Sequence, residues 1–251
     1  MTRYFSKSIS ALLLLLSLAS CQRAWVASPN LETTDVPVEK TIVPDPELEA
    51  RIAPYREQVT EKMAEIIGRA PVELGTADYQ SPLGNFVVDL MLAQARERYE
   101  GEIDMATTTN GGLRIPIPMG YVEMGTIFEL MPFENELVVL TLDGHTVKAF
   151  FDVAAEAKYA PVANATYTVK DGKAMDIRIG EEPLKLDQNY TLVTSDYLAG
   201  GGDNLSMFKN ALKTEKVGLM MRDAIIEQIR ELTAKGQAIG ADTTMRVTVL
   251  P

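Results

Sequence analysis

The 251-residue sequence holds a single histidine, His145, and a single cysteine, Cys21. One cysteine excludes any disulfide within the chain. One histidine excludes the His-rich donor sets around which metal-dependent hydrolases gather their ions. There is no HExxH, no GxSxG to present a nucleophilic serine and no GxxxxGK[ST] to cradle phosphates. Asp143-Gly144-His145 spells a DxH pair, but no second histidine exists to complete such a site, and Asp-Gly after an apolar run is ordinary turn chemistry. An all-carboxylate metal site stays open, although no acidic spacing points to one. Positive charge is also in deficit, with 24 Lys and Arg against 35 Asp and Glu, a net charge of −11. That balance argues against a nucleic-acid polymer, and against a membrane contact made by charge. It leaves a small anionic ligand open, because one Arg can reverse the field inside a pocket. The apolar run near the N-terminus, Ala11 to Leu16, falls well short of the roughly 20 residues that span a bilayer as a helix.

What is present starts with MTRYFSKSISALLLLLSLASCQ. Arg3 and Lys7 form a short positive segment, Ala11 to Leu16 an apolar one, and Leu18-Ala19-Ser20-Cys21 matches a lipobox. These features predict a lipoprotein signal peptide over 1–20, cleaved before an acylated Cys21 that anchors the chain to a bacterial envelope membrane. Loss of Arg3 and Lys7 with that peptide, which carries no acid, leaves a net charge of −13. Residues 21–46 combine Pro, Thr, Val and acids without a sustained period and read as a flexible tether. The remainder, 47–251, is long enough for one domain with its own core.

Within it, apolar positions at Ile52, Val59, Met63, Ile66 and Ile67 predict a helix over 47–68 with Pro54 near its start. A second helix is predicted over 82–99, with a stripe of Phe86, Val87, Leu90, Met91 and Ala95. Strands are predicted at 103–107, 136–142, 166–170, 175–179, 189–195 and 245–250, a short helical piece within 120–130, and helices at 144–157 and 217–235. The mixed order indicates a single α+β domain with a mixed sheet and packed helices rather than a doubly wound one. No internal repeat is visible.

Four segments carry binding chemistry: SPLGNFVVDLML (81–92), TTNGGLRIPIPMG (108–120), ELMPFENELVVLTLDG (129–144) and TSDYLAGGGDN (194–204). Each joins turn residues to an aromatic, an Arg or an Asp. Arg114 offers a fork of donors suited to phosphate or carboxylate. Phe133 and Tyr197 are two aromatics able to clamp a flat ring, and Asp203 can accept from neighbouring hydroxyls. Together they supply parts for a nucleoside or nucleotide. The alternative is structural: a glycine turn packed on its own sheet, Tyr197 and Phe133 in the core, and Arg114 in a surface ion pair.

In order and spacing, QSPLGN, TNGGLR, PFEN and YLAGGGD resemble the C-terminal domain of the 5′-nucleotidase family over about residues 47–250. The resemblance implies that family's substrate pocket, with Phe133 and Tyr197 as the base clamp, Asp203 on the ribose hydroxyls and Arg114 on the phosphate side. It also implies two departures. Thr109 stands where the family carries an Asn that contacts the base, and Asn110 follows one residue later. No Arg occurs among residues 76–79, and Gln80 replaces the usual Glu. In the family the metal ions and the catalytic His belong to a separate N-terminal metallophosphoesterase domain, which has no counterpart here. The resemblance therefore implies no catalytic residue and no cofactor in this chain. Divalent metals are expected only in a partner metallophosphoesterase, of which this chain would be the specificity subunit. Two other readings are a nucleoside- or nucleotide-binding lipoprotein without a catalytic partner, and an interaction domain whose pocket has decayed.

Overall fold

A computed structural model describes residues 37, 39 and 41–251. The predicted signal peptide, Cys21 and most of the predicted tether lie outside the described residues. The chain divides into two units, residues 1–49 and 50–251. In the first, the Asp45 carboxylate accepts from the N–H groups of Glu47 and Leu48, at 2.8 and 3.2 Å, and so opens helix α1 (Pro46–Met63).

Helix α1 ends earlier than its apolar spacing predicts. Ile66 and Ile67 belong instead to strand β1 (Ile66–Ala70), antiparallel to β3 (Gly120–Glu123). The Ile pair is β-branched, and Gly68 then lets the strand press close under a helix, since a Cβ there would stand 2.6 Å from Ile229 Cγ2. No residue of α1 is buried, and the apolar positions Ile52 and Val59 that predict the helix are exposed.

Helix α2 (Pro82–Arg98) matches its sequence signals closely. Ser81 caps it by accepting from Gly84 N–H at 3.0 Å, Pro82 occupies the first turn, and the predicted stripe is buried. It lies on a five-stranded sheet ordered β10 (Lys213–Met220), β4 (Glu136–Asp143), β9 (Asn189–Ser195), β2 (Met105–Thr107), β5 (Val162–Ala163). A second sheet has the order β11 (Val247–Val249), β6 (Ala165–Lys170), β7 (Lys173–Ile179), β8 (Glu182–Pro183).

The apolar run Leu137 to Leu140 within ELVVLTL follows from burial of β4 on both faces. Leu137 and Val139 join the core beneath α2 and helix α6 (Met221–Ala234), while Val138, Leu140 and Leu142 join the core beneath helix α4 (Gly144–Ala157) and the second sheet. The predicted helix over 217–235 is corrected at its start: Lys213–Met220 form edge strand β10, paired to β4, and α6 begins at Met221. Gly218, at φ +76°, interrupts any helical run there. The 120–130 segment likewise divides into β3 and helix α3 (Met124–Leu130).

The Asp143-Gly144-His145 motif has a structural use. The Asp143 carboxylate caps α4, accepting from Thr146 N–H at 2.8 Å and from Thr146 Oγ1 at 3.1 Å. The Thr146 N–H is the main cause holding the Asp143 carboxyl below its ordinary value. This cap is therefore at full strength above the ordinary carboxylate range and is lost as pH falls through the lowered value.

Candidate functional site

Strands β2 and β9 are parallel neighbours, so their carboxyl ends lie side by side. Strand β4 runs antiparallel to β9, with Leu137 opposite Ser195, and so starts at that same edge. Three irregular segments are thereby gathered in one place: the turn Asn110–Gly112 after β2, the approach to β4 through Phe133 and Asn135, and the short helix α5 (Asp196–Ala199) with the glycine run after β9. Between them is a cavity of about 340 Å³ whose wall includes Thr109, Arg114, Phe133, Tyr197 and Asp203. Concave sites of this size take small ligands.

The glycine run does two separate jobs. Gly201 adopts φ +85°, which a side chain disfavours, and Gly202 lies flat under the Tyr197 ring. A Cβ on Gly202 would stand 2.4 Å from Tyr197 Cε1 and Cζ. Gly200 carries no such constraint, since a Cβ there meets nothing nearer than 3.4 Å. With its ring on Gly202, Tyr197 donates its hydroxyl to Asp203 Oδ1 at 2.9 Å. Thr109 Oγ1 donates to Asp203 Oδ2, and the Tyr159 hydroxyl donates to the Asp203 backbone carbonyl. Burial, followed by the Asp203 and Tyr197 charges, pushes the Tyr159 phenol above its ordinary value. Asp203 itself sits in the left-handed region at φ 48°, ψ 40°, which Asp tolerates better than most side chains.

Tyr197 and Phe133 remain 52 % and 41 % exposed, which sets aside the reading of either ring as core. Arg114 is exposed at the wall, donates to Gly111 O at 3.2 Å and is paired with no carboxylate among the described residues. Five of the six predicted binding residues therefore share one cavity. Asn110 does not. Its Nδ2 donates to Ala77 O at 3.0 Å and its N–H to Tyr159 O at 2.9 Å, which ties the turn to the 76–80 loop. Thr109 is the last extended residue before the 3₁₀ turn that Asn110 opens, and the two side chains take different partners, Asp203 and Ala77.

QSPLGN stands away from the cavity. Besides the Ser81 cap, Asn85 Nδ2 donates to Asp242 O at 2.7 Å, and Gly84 passes Pro161 so closely that a Cβ would be 2.9 Å from it. Gln80 Oε1 accepts from the N–H groups of Arg246 and Val247, at 2.6 and 3.0 Å. A carboxylate would serve the same two donors. Gln80→Glu is therefore expected to leave the melting temperature unchanged or raise it slightly, as read by thermal unfolding at neutral pH.

Sequence reasoning did not single out Asn135, Ser195, Met131 and Met221, which also line the cavity, or Tyr159, which braces Asp203. Asn135 was visible inside PFEN. Tyr159 carried no local signal, because its partner lies 44 residues along the chain. Among the described residues no three His, Cys, Asp or Glu side chains gather in a way that could hold a metal ion.

The arrangement has known counterparts. Residues 66–210 match the model of the family "5′-nucleotidase, C-terminal domain". The trifunctional nucleotide phosphoesterase protein YfkN of Bacillus subtilis is 26 % identical over 236 residues, covering 85 % of this chain and 16 % of that protein. A 5′-nucleotidase of Vibrio vulnificus is 28 % identical over 176 residues, covering 66 % of this chain and 31 % of its own length. The crystal structure of the 5′-nucleotidase precursor from Thermus thermophilus superposes with a TM-score of 0.70 at 25 % identity, over 80 % of this chain and 43 % of that one. The chain thus spans less than half of each of these relatives. The matched segment carries TNGGLR, PFEN and YLAGGGD, the three motifs that build the cavity, and on that ground the chain belongs to the family of the 5′-nucleotidase C-terminal domain.

Proposed function

We propose that this domain recognises a nucleoside or nucleotide and that a separate metallophosphoesterase supplies the divalent metals and the phosphomonoester hydrolysis. The observation that carries the reading is the convergence of Phe133, Tyr197, Asp203 and Arg114 on one cavity. Two aromatic faces, an acceptor-rich carboxylate and a guanidinium that meets no carboxylate among the described residues are the complements of a base, a ribose and a phosphate. With a single Arg and none in the 76–79 loop, the phosphate side is weaker than the family pattern. Each missing charge-assisted contact costs roughly 1.5–3 kcal/mol. Domain closure against the partner would bring the bound phosphate to the metals. The lipobox at Leu18 to Cys21 supports a location at a bacterial envelope membrane, with Cys21 as the anchor.

A second reading, a nucleoside-binding lipoprotein with no catalytic partner, draws on the fact that the cavity is formed within this one chain. Thermal unfolding of the full chain with AMP and adenosine tests both. A ligand at about 100 times its Kd adds about 2.7 kcal/mol, a rise of roughly 5–10 °C. A rise that is absent in Asp203→Ala supports nucleotide recognition. A gain of 5′-nucleotidase activity on mixing with an envelope metallophosphoesterase selects the first reading, and binding without that gain selects the second. No shift with any nucleotide overturns both.

A further inference from the structure

We propose that Thr109 is a positioning residue for Asp203, and that the hydroxyl at position 109 is what lets this site tell a ribose from a 2′-deoxyribose. The inference rests on the nucleotide reading above. Thr109 is only 2 % exposed, so its hydroxyl has little water to bond and donates instead to Asp203 Oδ2. Tyr197 donates to Oδ1 from the other side. A carboxylate offers about four lone-pair sites. Two are taken by these hydroxyls, and two are left on a group that forms part of the cavity wall.

Two further features hold this carboxylate in place. Gly111 leaves room for it, since a Cβ there would be 3.2 Å from Oδ2. Tyr159 fixes the Asp203 main chain, which holds a left-handed conformation that a non-glycine residue rarely adopts. Without the Thr109 hydroxyl, Oδ2 loses its donor and the carboxylate can rotate. A group that accepts from two adjacent ligand hydroxyls must present both oxygens in one orientation, so rotation weakens the contact to a vicinal diol more than the stacking of the ring. Position 109 therefore does not read the base here. It acts through Asp203.

The test measures Kd for adenosine and for 2′-deoxyadenosine on the full chain, the Thr109→Val variant and the Thr109→Ser variant. The expected result is a preference of the unaltered chain for adenosine. That preference falls about tenfold in Thr109→Val, which keeps the shape but not the donor. Thr109→Ser, which keeps the donor, retains it. The 2′-deoxyadenosine affinity changes little in either variant. An unchanged ratio in Thr109→Val, a ratio in Thr109→Ser as low as in Thr109→Val, or no ribose preference in the unaltered chain overturns the positioning role while leaving nucleotide recognition standing. If Thr109→Val does not fold, the Thr109→Ser ratio alone decides, because a loss of preference there overturns the role and its retention supports it. Absence of binding by any nucleoside or nucleotide overturns the nucleotide reading, and this inference with it.

Discussion

Replacing Arg246 by alanine is expected to lower stability by about 3 kcal/mol, a fall in melting temperature of roughly 6–12 °C. The Arg246 side chain is 8 % exposed and forms a fork with Asp89, at 2.9 Å to Oδ1 and 2.6 Å to Oδ2. It also donates to Val162 O at 2.8 Å and to Asp242 at 3.3 Å. Its own N–H is held by Gln80. One residue thus joins the C-terminal segment to α2, β5 and the 76–80 loop. Removing it leaves a carboxylate and a carbonyl without their donor, which costs more than the pair contributes when intact. Asp89 is 39 % exposed and partly screened by water, which is why the lower end of the usual range applies. Arg246→Lys is expected to recover less than half of the loss, because an ammonium cannot reproduce the fork. Thermal unfolding checks both variants, and an Arg246→Ala chain that melts within a degree or two of the parent would show that the clasp is dispensable.

Gly202→Ala is expected to be nearly silent in stability and large in binding, a loss of about tenfold or more in nucleoside affinity. Gly202 does not sit at positive φ, so alanine fits the backbone. The conflict is with the Tyr197 ring, 2.4 Å from where the new Cβ would stand. Tyr197 must swing away, giving up its bond to Asp203 and its place at the cavity wall. Stacking of a base on an aromatic is worth roughly 1–3 kcal/mol, and that contribution goes with the ring. Gly200→Ala is the control, expected to bind as the parent does. Titration calorimetry of Gly202→Ala, Tyr197→Ala and the double variant closes the cycle. The double variant should bind no worse than Tyr197→Ala, because both changes remove the same contact. Additive losses would mean that Gly202 acts by another route.

Local signals were legible wherever a residue answers to its near neighbours. The apolar stripe from Phe86 to Ala95 announces α2, and the burial of β4 on both faces underlies its apolar run. The glycine run is flagged as a turn by composition alone. Where long-range pairing competes with local preference, the sequence misleads. Ile66 and Ile67 extend a helical pattern yet belong to a strand paired with β3, and Val217 to Met220 adjoin a helix yet belong to the strand along β4. In both places the sheet offers backbone partners, and each segment buries one apolar side chain, Ile67 and Leu219.

The same division runs through the site. By itself the sequence determined the parts: an aromatic and an Arg in turn segments, a Tyr and an Asp on either side of three glycines, one histidine and one cysteine, and the motifs that mark the family. Those follow from residue type and spacing, which the chain carries whether folded or not. Only the tertiary structure decided how the parts are used. It brought Thr109 onto Asp203 across 94 residues, turned Asn110 toward Ala77, set Gln80 against Arg246, and placed Tyr159 against the glycine run. The physical reason is that a side chain's direction is set by the backbone turn that carries it, and its partners by which strand ends the sheet brings together. Neither is written in the residues on either side of it.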